Sequence, residues 1–502
     1  MHLIDLCRDL VNIPDQTGAI VVTGLAVDSK RVAAGNLFFA LAGSRRDGRD
    51  FIGDAIKAGA AAIVTDIAPL AKDIAKLAQQ AVIPILQCEN PRRVMAKMAA
   101  RHWSSQPGMV AAVTGTNGKT STTEFLRQLW QRTTWQAIAV GTLGITGTDI
   151  IKSDGALLSL PPLTTPDSIS LHTTLAPLTK AGVTHLALEA SSHGLEQHRI
   201  DGLNIHIAAF TNLSRDHLDH HIDMDRYFAA KHRLFTDLLS EGGAAIINLD
   251  DKYSAAIIDS LQDRAIVIKT FGYAEDADFR ILSITPSGDG LDMKVIYQDQ
   301  TWDIPLALSG TFQAINALTA AVMAHLGGLP LHDALGALPY LKAAPGRMQT
   351  IHSHPAGARV VIDYAHTPDA LAAALSALRP EASGKLVVLF GCGGDRDPGK
   401  RAMMGKVACK IADDVIITDD NPRNEDPARI RSVILKSCDK ATEIVPRDKA
   451  IASALGNLVA GDVLLIAGKG HETGQLIGNE TLPFDDASVA NNKLRAMREA
   501  VQ

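Results

Sequence analysis

Short apolar runs separated by stretches of helical periodicity recur from one end of the chain to the other. Early on, the runs 38–41 (F-F-A-L) and 61–64 (A-A-I-V) read as buried strands, and residues 53–59 carry a helical pattern. Asn90-Pro91 opens a helix over residues 92–103, which leads into the apolar run 109–113. Strands follow at 185–188, 205–210 and 244–248, and a third series at 360–362, 386–390, 415–418 and 463–467. Each ends at a loop rich in polar and charged residues, where α/β sheets put their ligands. This alternation predicts an α/β protein of three domains. They are a small N-terminal α/β module (1–90), a central α/β domain (91–338) and a C-terminal Rossmann-like, doubly wound domain (339–502).

Composition narrows the partners. At 502 residues, 46% apolar and 21% charged, the chain suits globular domains with substantial cores. A net charge of −6 gives no basic footprint for nucleic acid or a membrane surface. No run of apolar residues is long enough to span a bilayer. The first twelve residues hold Asp5 and Asp9 and lack a basic leader, so no secretory signal is expected. Cys7, Cys88, Cys392, Cys409 and Cys438 are scattered, odd in number and without C-x-x-C spacing. They read as reduced cytoplasmic thiols rather than a disulfide framework or zinc site.

The most informative chemistry lies at 113–122, V-T-G-T-N-G-K-T-S-T, between a predicted strand and a helix predicted over 123–130. Gly115, Thr116, Asn117 and Gly118 would curl backbone N–H groups around phosphate oxygens, with Ser121 in the opening helix turn. Lys119 would reach the β/γ-phosphates and Thr120 would hold Mg²⁺. The position five before Gly118 is Val113 rather than glycine, so this is a tighter form of the P-loop. Together these residues make the central domain a P-loop ATPase-like domain.

Other strand ends carry candidates. Glu189 follows the strand 185–188 and is placed to hold Mg²⁺, directly or through water; the alternative is an ordinary strand-end acid. His217, His220 and His221 crowd five positions, which invites zinc, but no cysteine or further ligand stands at finger-like spacing. A magnesium- or phosphate-facing role suits His217, and His220 and His221 read as surface residues. Lys231 lies in an apparent amphipathic helix and is unremarked by pattern alone. In the third domain the loops 363–369, 391–397, 418–423 and 467–472 carry acids, histidines and arginines. Arg396, Asp420, Arg423 and Glu472 would together hold a zwitterion, the arginines on carboxylate and the acids on ammonium. The segment 391–394 is not G-x-G-x-x-G, which argues against NAD.

Taken in order, T-G-T-N-G-K-T, E-A-S-S-H-G-L, N-L-S-R-D-H-L-D, A-A-K-H-R-L-F, G-x-F-Q-x-x-N (310–316), P-G-R-M (345–348), D-Y-A-H-T-P-D and G-C-G-G-D-R-D make the whole chain resemble the Mur ligase family. These are ATP-dependent peptide synthetases of cell-wall precursor assembly. D-N-P-R at 420–423 resembles the signature of members that add meso-diaminopimelate; lysine-adding members usually lack that arginine. The resemblance implies ATP and Mg²⁺ as cofactors, with UDP-N-acetylmuramoyl-L-Ala-D-Glu and meso-diaminopimelate as substrates, in a cytoplasmic monomer. By resemblance Thr120 and Glu189 hold one Mg²⁺, and His217 and a carbamylated Lys231 support a second. Asn316, Arg347 and Asp363 contact the nucleotide. Val27, Ser29, Ser44, Arg45 and Arg46 lie near the uridine nucleotide, the N-terminal module being uridine-binding. Thr164, Thr165, Ser191, Gln197 and Arg199 hold the muramoyl dipeptide. Arg396, Asp420, Asn421, Pro422, Arg423, Gly468 and Glu472 hold diaminopimelate.

This chain departs from the family at Gln349, where Glu is common, and 44–46 is a variable patch. A folylpolyglutamate synthetase shares the P-loop, the lysine and the layout, but normally lacks the module at 1–90 and D-N-P-R. A binding protein that has lost catalysis is disfavoured because Lys119, Thr120, Glu189, His217 and Lys231 are all present. A P-loop kinase or GTPase would want the first Walker glycine or N-K-x-D.

Overall fold

Val110, Ala111, Ala112 and Val113 are fully buried because the strand they form is interior to a parallel sheet. The computed structural model describes residues 1–14, 17–43, 46–147, 160–216, 218–288, 290–351 and 354–500. The chain divides into two compact units. One comprises Met1–Lys119 and Trp130–Lys269, the other Thr120–Leu129 and Thr270–Gln502.

The first unit opens with a parallel sheet, β1 (Gly24–Ala26), β2 (Asn36–Ala40), β3 (Ala62–Thr65) and β4 (Ile85–Gln87), in that order. Helix α1 (Ile52–Lys57) joins β2 to β3, close to the predicted 53–59. Helix α2 (Pro91–His102) starts where Asn90 accepts a hydrogen bond from Arg93 N. Next comes β5 (Met109–Thr114); α3 (Lys119–Gln131) begins earlier than expected, and Thr120–Leu129 within it belong to the second unit. Five further strands belong to this unit: β6 (Ala137–Gly141), β7 (Gly144–Thr146), β8 (His185–Glu189), β9 (Ile205–Phe210) and β10 (Leu239–Asn248). They take the order β10-β9-β5-β8-β6-β7, parallel apart from β7. The strand expected at 244–248 is longer, with an irregularity between Leu239 and Ala244. Four helices complete the site's surroundings: α4 (Ser168–Lys180), α5 (Ser192–Glu196), α6 (Leu218–His221) and α7 (Met224–Arg233).

The second unit begins within β11 (Val267–Gly272) and adds an antiparallel meander, β12 (Phe279–Ser287), β13 (Gly290–Tyr297) and β14 (Gln300–Leu306). No strand was expected there. Helix α8 (Thr311–Leu326) follows and is buried on nearly every side, as its alanine-rich sequence allows. The last sheet contains β15 (Gln349–Ile351), β16 (Arg359–Asp363), β17 (Leu386–Phe390), β18 (Asp414–Ile417), β19 (Ala441–Glu443) and β20 (Val463–Ala467). Its order is β15-β16-β20-β17-β18-β19, parallel except for β15. Because side chains alternate along a strand, Val361, Val388 and Leu465 join one core with α9 (Pro368–Leu378) and α10 (Gly399–Ile411). Val360, Ile362, Leu464 and Ile466 join the opposite core with α11 (Arg447–Gly456) and α12 (Asp486–Glu499). Helices therefore cover both faces, the doubly wound arrangement predicted. A hairpin, β21 (Gly474–Ile477) with β22 (Glu480–Pro483), lies near the end. All five cysteines are free thiols. Among the described residues no helix is long and apolar enough to cross a membrane.

Candidate active site

The glycine loop after β5 is fastened to the segment that follows β9. Thr116 N donates to Asn212 O (2.8 Å), Asn117 N to Asn212 Oδ1 (3.0 Å), and Thr211 Oγ1 to Asn117 O (2.6 Å). Gly115 has no substitute here: a Cβ would stand 1.9 Å from Thr211 Oγ1. Gly118 turns the chain with φ near +89°. Lys119 folds over the loop and donates to Gly115 O and Thr116 O, both at 2.9 Å. Thr120 and Ser121 follow in the first turn of α3 and are buried.

Lys231 meets the same loop from α7. Its Nζ donates to Gly115 O at 2.7 Å and lies 4.7 Å from the Tyr227 ring centroid. Only 2% of the residue is exposed. Burial, reinforced by the Lys119 charge and opposed by Asp216, holds its ammonium pKa well below the ordinary lysine value. A lysine so placed gives up its proton more readily than one in water.

Glu189 ends β8 and is buried, its Oε1 accepting from Thr142 N (2.8 Å) and Oε2 from Thr142 Oγ1 (3.2 Å). A Cβ on Gly141 would meet Oε1 at 2.1 Å, so the carboxylate fits only against glycine. Thr142 Oγ1 also lies 3.2 Å from Thr164 Oγ1. Beside it, Thr165 Oγ1 donates to Glu189 O (2.7 Å) and accepts from Ser191 N (2.9 Å), while Ser191 caps α5. Arg199 donates to Thr165 O (2.7 Å) and to Gln197 Oε1 (2.8 Å). Thr164, Thr165, Ser191, Gln197 and Arg199 thus form one polar group next to Glu189.

In the second unit, Asn316 Nδ2 donates to Gln313 Oε1 (3.1 Å) and Gln313 Nε2 to Arg347 O (2.8 Å). The Arg347 guanidinium lies 4.8 Å from the Tyr364 ring centroid. Asp363 accepts from Met348 N (2.8 Å) and Ala365 N (2.9 Å). Although part of the residue reaches solvent, enclosure of its carboxyl raises the pKa above the usual range, against the pull of Arg347 and those two donors. Gln349 Oε1 accepts from Gly346 N at 2.8 Å. A glutamate carboxylate there would accept the same bond, so Gln349 keeps this contact.

The strand-end loops of the last sheet converge. Asn421 Nδ2 donates to Glu472 Oε2 (2.7 Å), Asp420 Oδ1 accepts from Asn421 N (2.6 Å), and Gly468 N donates to Asp363 O (3.1 Å). Pro422 is buried, and Arg423, in the left-handed region at φ +51°, donates to Gly394 O at 2.8 Å. Arg396 is exposed on the neighbouring loop. Two residues that pattern reading did not assign organise this group. Lys469, fully buried, donates to Asn421 Oδ1 (3.1 Å), Glu472 Oε2 (3.2 Å) and Gly474 O (2.7 Å). Arg447 of α11 pairs with Asp486 of α12 at 2.7 Å and donates to Ala467 O (3.0 Å) and Asp419 O (3.3 Å). It ties the bases of two loops together.

Val27 and Ser29 follow β1, and Arg46, exposed, follows β2; the two strands are parallel, so these residues share one edge of the first sheet. Ser44, Arg45 and His217 lie outside the described residues. His221, expected at the surface, is buried against Tyr227, because α6 turns it inward.

Three family models match the chain. Residues 21–103 match the Mur ligase family, catalytic domain; 113–324 the Mur ligase middle domain; 346–470 the Mur ligase, glutamate ligase domain. A Bradyrhizobium diazoefficiens UDP-N-acetylmuramoyl-L-alanyl-D-glutamate–2,6-diaminopimelate ligase is 46% identical over 489 residues, 97% of each chain. The protein of that name from Brucella melitensis is 44% identical over 97% of this chain and 96% of its own. A solved structure of a ligase of the same name has a TM-score of 0.73 at 33% identity, over 99% of both chains.

Proposed function

The chain belongs to the Mur ligase family, and from that membership we propose that it joins meso-diaminopimelate to the D-Glu of UDP-N-acetylmuramoyl-L-Ala-D-Glu. The enzyme is an ATP-dependent amide-forming ligase of peptidoglycan precursor synthesis. The observation that carries the substrate reading is the cluster at the ends of β17, β18 and β20. It offers a guanidinium to a carboxylate, and the buried Asp420 and half-buried Glu472 to an ammonium.

The γ-phosphoryl group passes to the free terminal carboxylate of the dipeptide, giving an acyl phosphate and ADP. The amine of diaminopimelate, after losing a proton, attacks the acyl carbon. The tetrahedral species collapses, the amide forms and phosphate leaves. Two anions must approach in the first step, so cations must lie among the phosphate oxygens. We assign that role to Lys119 and the loop of Gly115, Thr116, Asn117, Gly118, Thr120 and Ser121. Asn316, Arg347 and Asp363 are assigned to the nucleotide. Thr164, Thr165, Ser191, Gln197 and Arg199 are assigned to the dipeptide, and Val27, Ser29, Ser44, Arg45 and Arg46 to the uridine end. Arg396, Asp420, Asn421, Pro422, Arg423, Gly468 and Glu472 are assigned to diaminopimelate. Mg²⁺ suits the hard oxygen donors present, a buried Glu189 carboxylate and the Thr120 hydroxyl. On the same assignment, His217 and the carboxylate of a carbamylated Lys231 would complete that set. When bound, Mg²⁺ neutralises phosphate charge. The lowered pKa of buried Lys231 favours the carbamate, because only a free amine adds to CO₂. On this reading the chain acts as a cytoplasmic monomer with domains at 1–90, 91–338 and 339–502.

Arg423→Ala tests the substrate assignment. Its KM for diaminopimelate should rise about 10- to 100-fold, the loss of one charge-assisted pair, while the KM for ATP stays near wild type. Equal rises for both would make Arg423 a loop-folding residue only. Gly141→Ala tests Glu189. The added methyl displaces the carboxylate, and phosphate release should fall about a hundredfold when measured below the variant's own melting temperature. Wild-type release would remove Glu189 from the reacting centre.

A further inference from the structure

Three side chains that the ligase reaction leaves unused converge between two short helices. Glu196 ends α5, and His220 and His221 end α6. One Glu196 carboxylate oxygen lies 2.5 Å from His220 Nε2 and 3.9 Å from His221 Nδ1. The ligand atoms of all three fall within 4.8 Å of one another. Ligands about 2.0–2.2 Å from a tetrahedral zinc stand about 3.3–3.5 Å apart, so shifts of about 1 Å bring the trio to bonding geometry.

The side chains are suited to such a shift. His221 is a fixed point: its side chain is 1% exposed and its ring packs on Tyr227, centroids 5.1 Å apart. His220 and Glu196 are 35% and 49% exposed, so neither is locked in place by enclosure. His193, on the first turn of α5, stacks on His220 at 3.9 Å and lies 5.3 Å from His221, so a third imidazole walls the cluster. An exposed His–Glu pair by itself would mean little. Here the Nδ1 of a buried imidazole lies 3.9 Å from the same oxygen. Two imidazoles and one carboxylate favour a borderline transition ion over Mg²⁺, which keeps an oxygen shell.

We propose that Glu196, His220 and His221 form a transition-metal site that takes Zn²⁺ through three protein ligands with one position open. It is separate from the Mg²⁺ assigned to Glu189 and Lys231. The bound ion would clamp α5 to α6. Its test is equilibrium dialysis of the untagged full chain against Zn²⁺, with Mg²⁺ and ADP in excess to occupy the nucleotide site. Wild type should bind one Zn²⁺ equivalent. Glu196→Gln and His220→Phe should each bind it about tenfold or more weakly, while Mg²⁺-dependent phosphate release stays at wild-type rates. Co²⁺ should give the intense visible bands of four-coordination in wild type and lose them in both variants. No Zn²⁺ equivalent in wild type, or an undiminished one in the variants, overturns the proposal. Metal content is read independently of turnover, so a failure of the ligase reading would leave this result standing.

Discussion

Lys119→Ala should lower ADP formation about a thousandfold, the scale on which a cation at a transferring phosphoryl group acts. Lys119 Nζ donates to Gly115 O and Thr116 O, which holds its charge over the loop. Removing it leaves the loop's other anchors, Asn212 and Thr211, in place. The loss should therefore appear in turnover and not in the melting temperature. Steady-state ADP release with both other substrates saturating measures it. Turnover near wild type would remove the phosphate-binding assignment of the loop.

Lys231→Ala should also reduce turnover, by about 10²- to 10³-fold, and part of the loss should return on adding a short carboxylate such as formate or acetate. The reason is chemical. Burial and the Lys119 charge lower the pKa of the Lys231 ammonium, which favours the neutral amine that reacts with CO₂ to give a carbamate. A free carboxylate can enter the cavity left by alanine and supply the missing charge. Truncation would also delete a hydrogen bond to Gly115 O. A purely structural loss would not respond to added carboxylate. Wild-type rates in the variant would remove the carbamate altogether.

The P-loop was legible because it is local: strand, glycine turn and helix follow within one stretch of chain. The doubly wound sheet was legible for a similar reason, its strands being continuous apolar runs. Three features were not. The meander β12–β14 carries a readable alternation, Met293 and Val295 buried around an exposed Lys294, but sits among long polar stretches that mask it. Lys231 and Lys469 look like ordinary lysines, since what sets them apart is enclosure by residues far along the chain, Gly115 and Asn421. Glu196 stands 24 residues before His220, outside any finger-like spacing, so the histidine pair lacked its acid until the fold supplied one.

The most direct measurement is phosphate release with ATP, Mg²⁺ and UDP-N-acetylmuramoyl-L-Ala-D-Glu, comparing meso-diaminopimelate with L-lysine. Release with diaminopimelate and none above background with lysine is the predicted result, because the role proposed for Arg423 and its neighbours is to hold the second carboxylate that lysine lacks. Release with lysine, or with neither amino acid, would contradict the account.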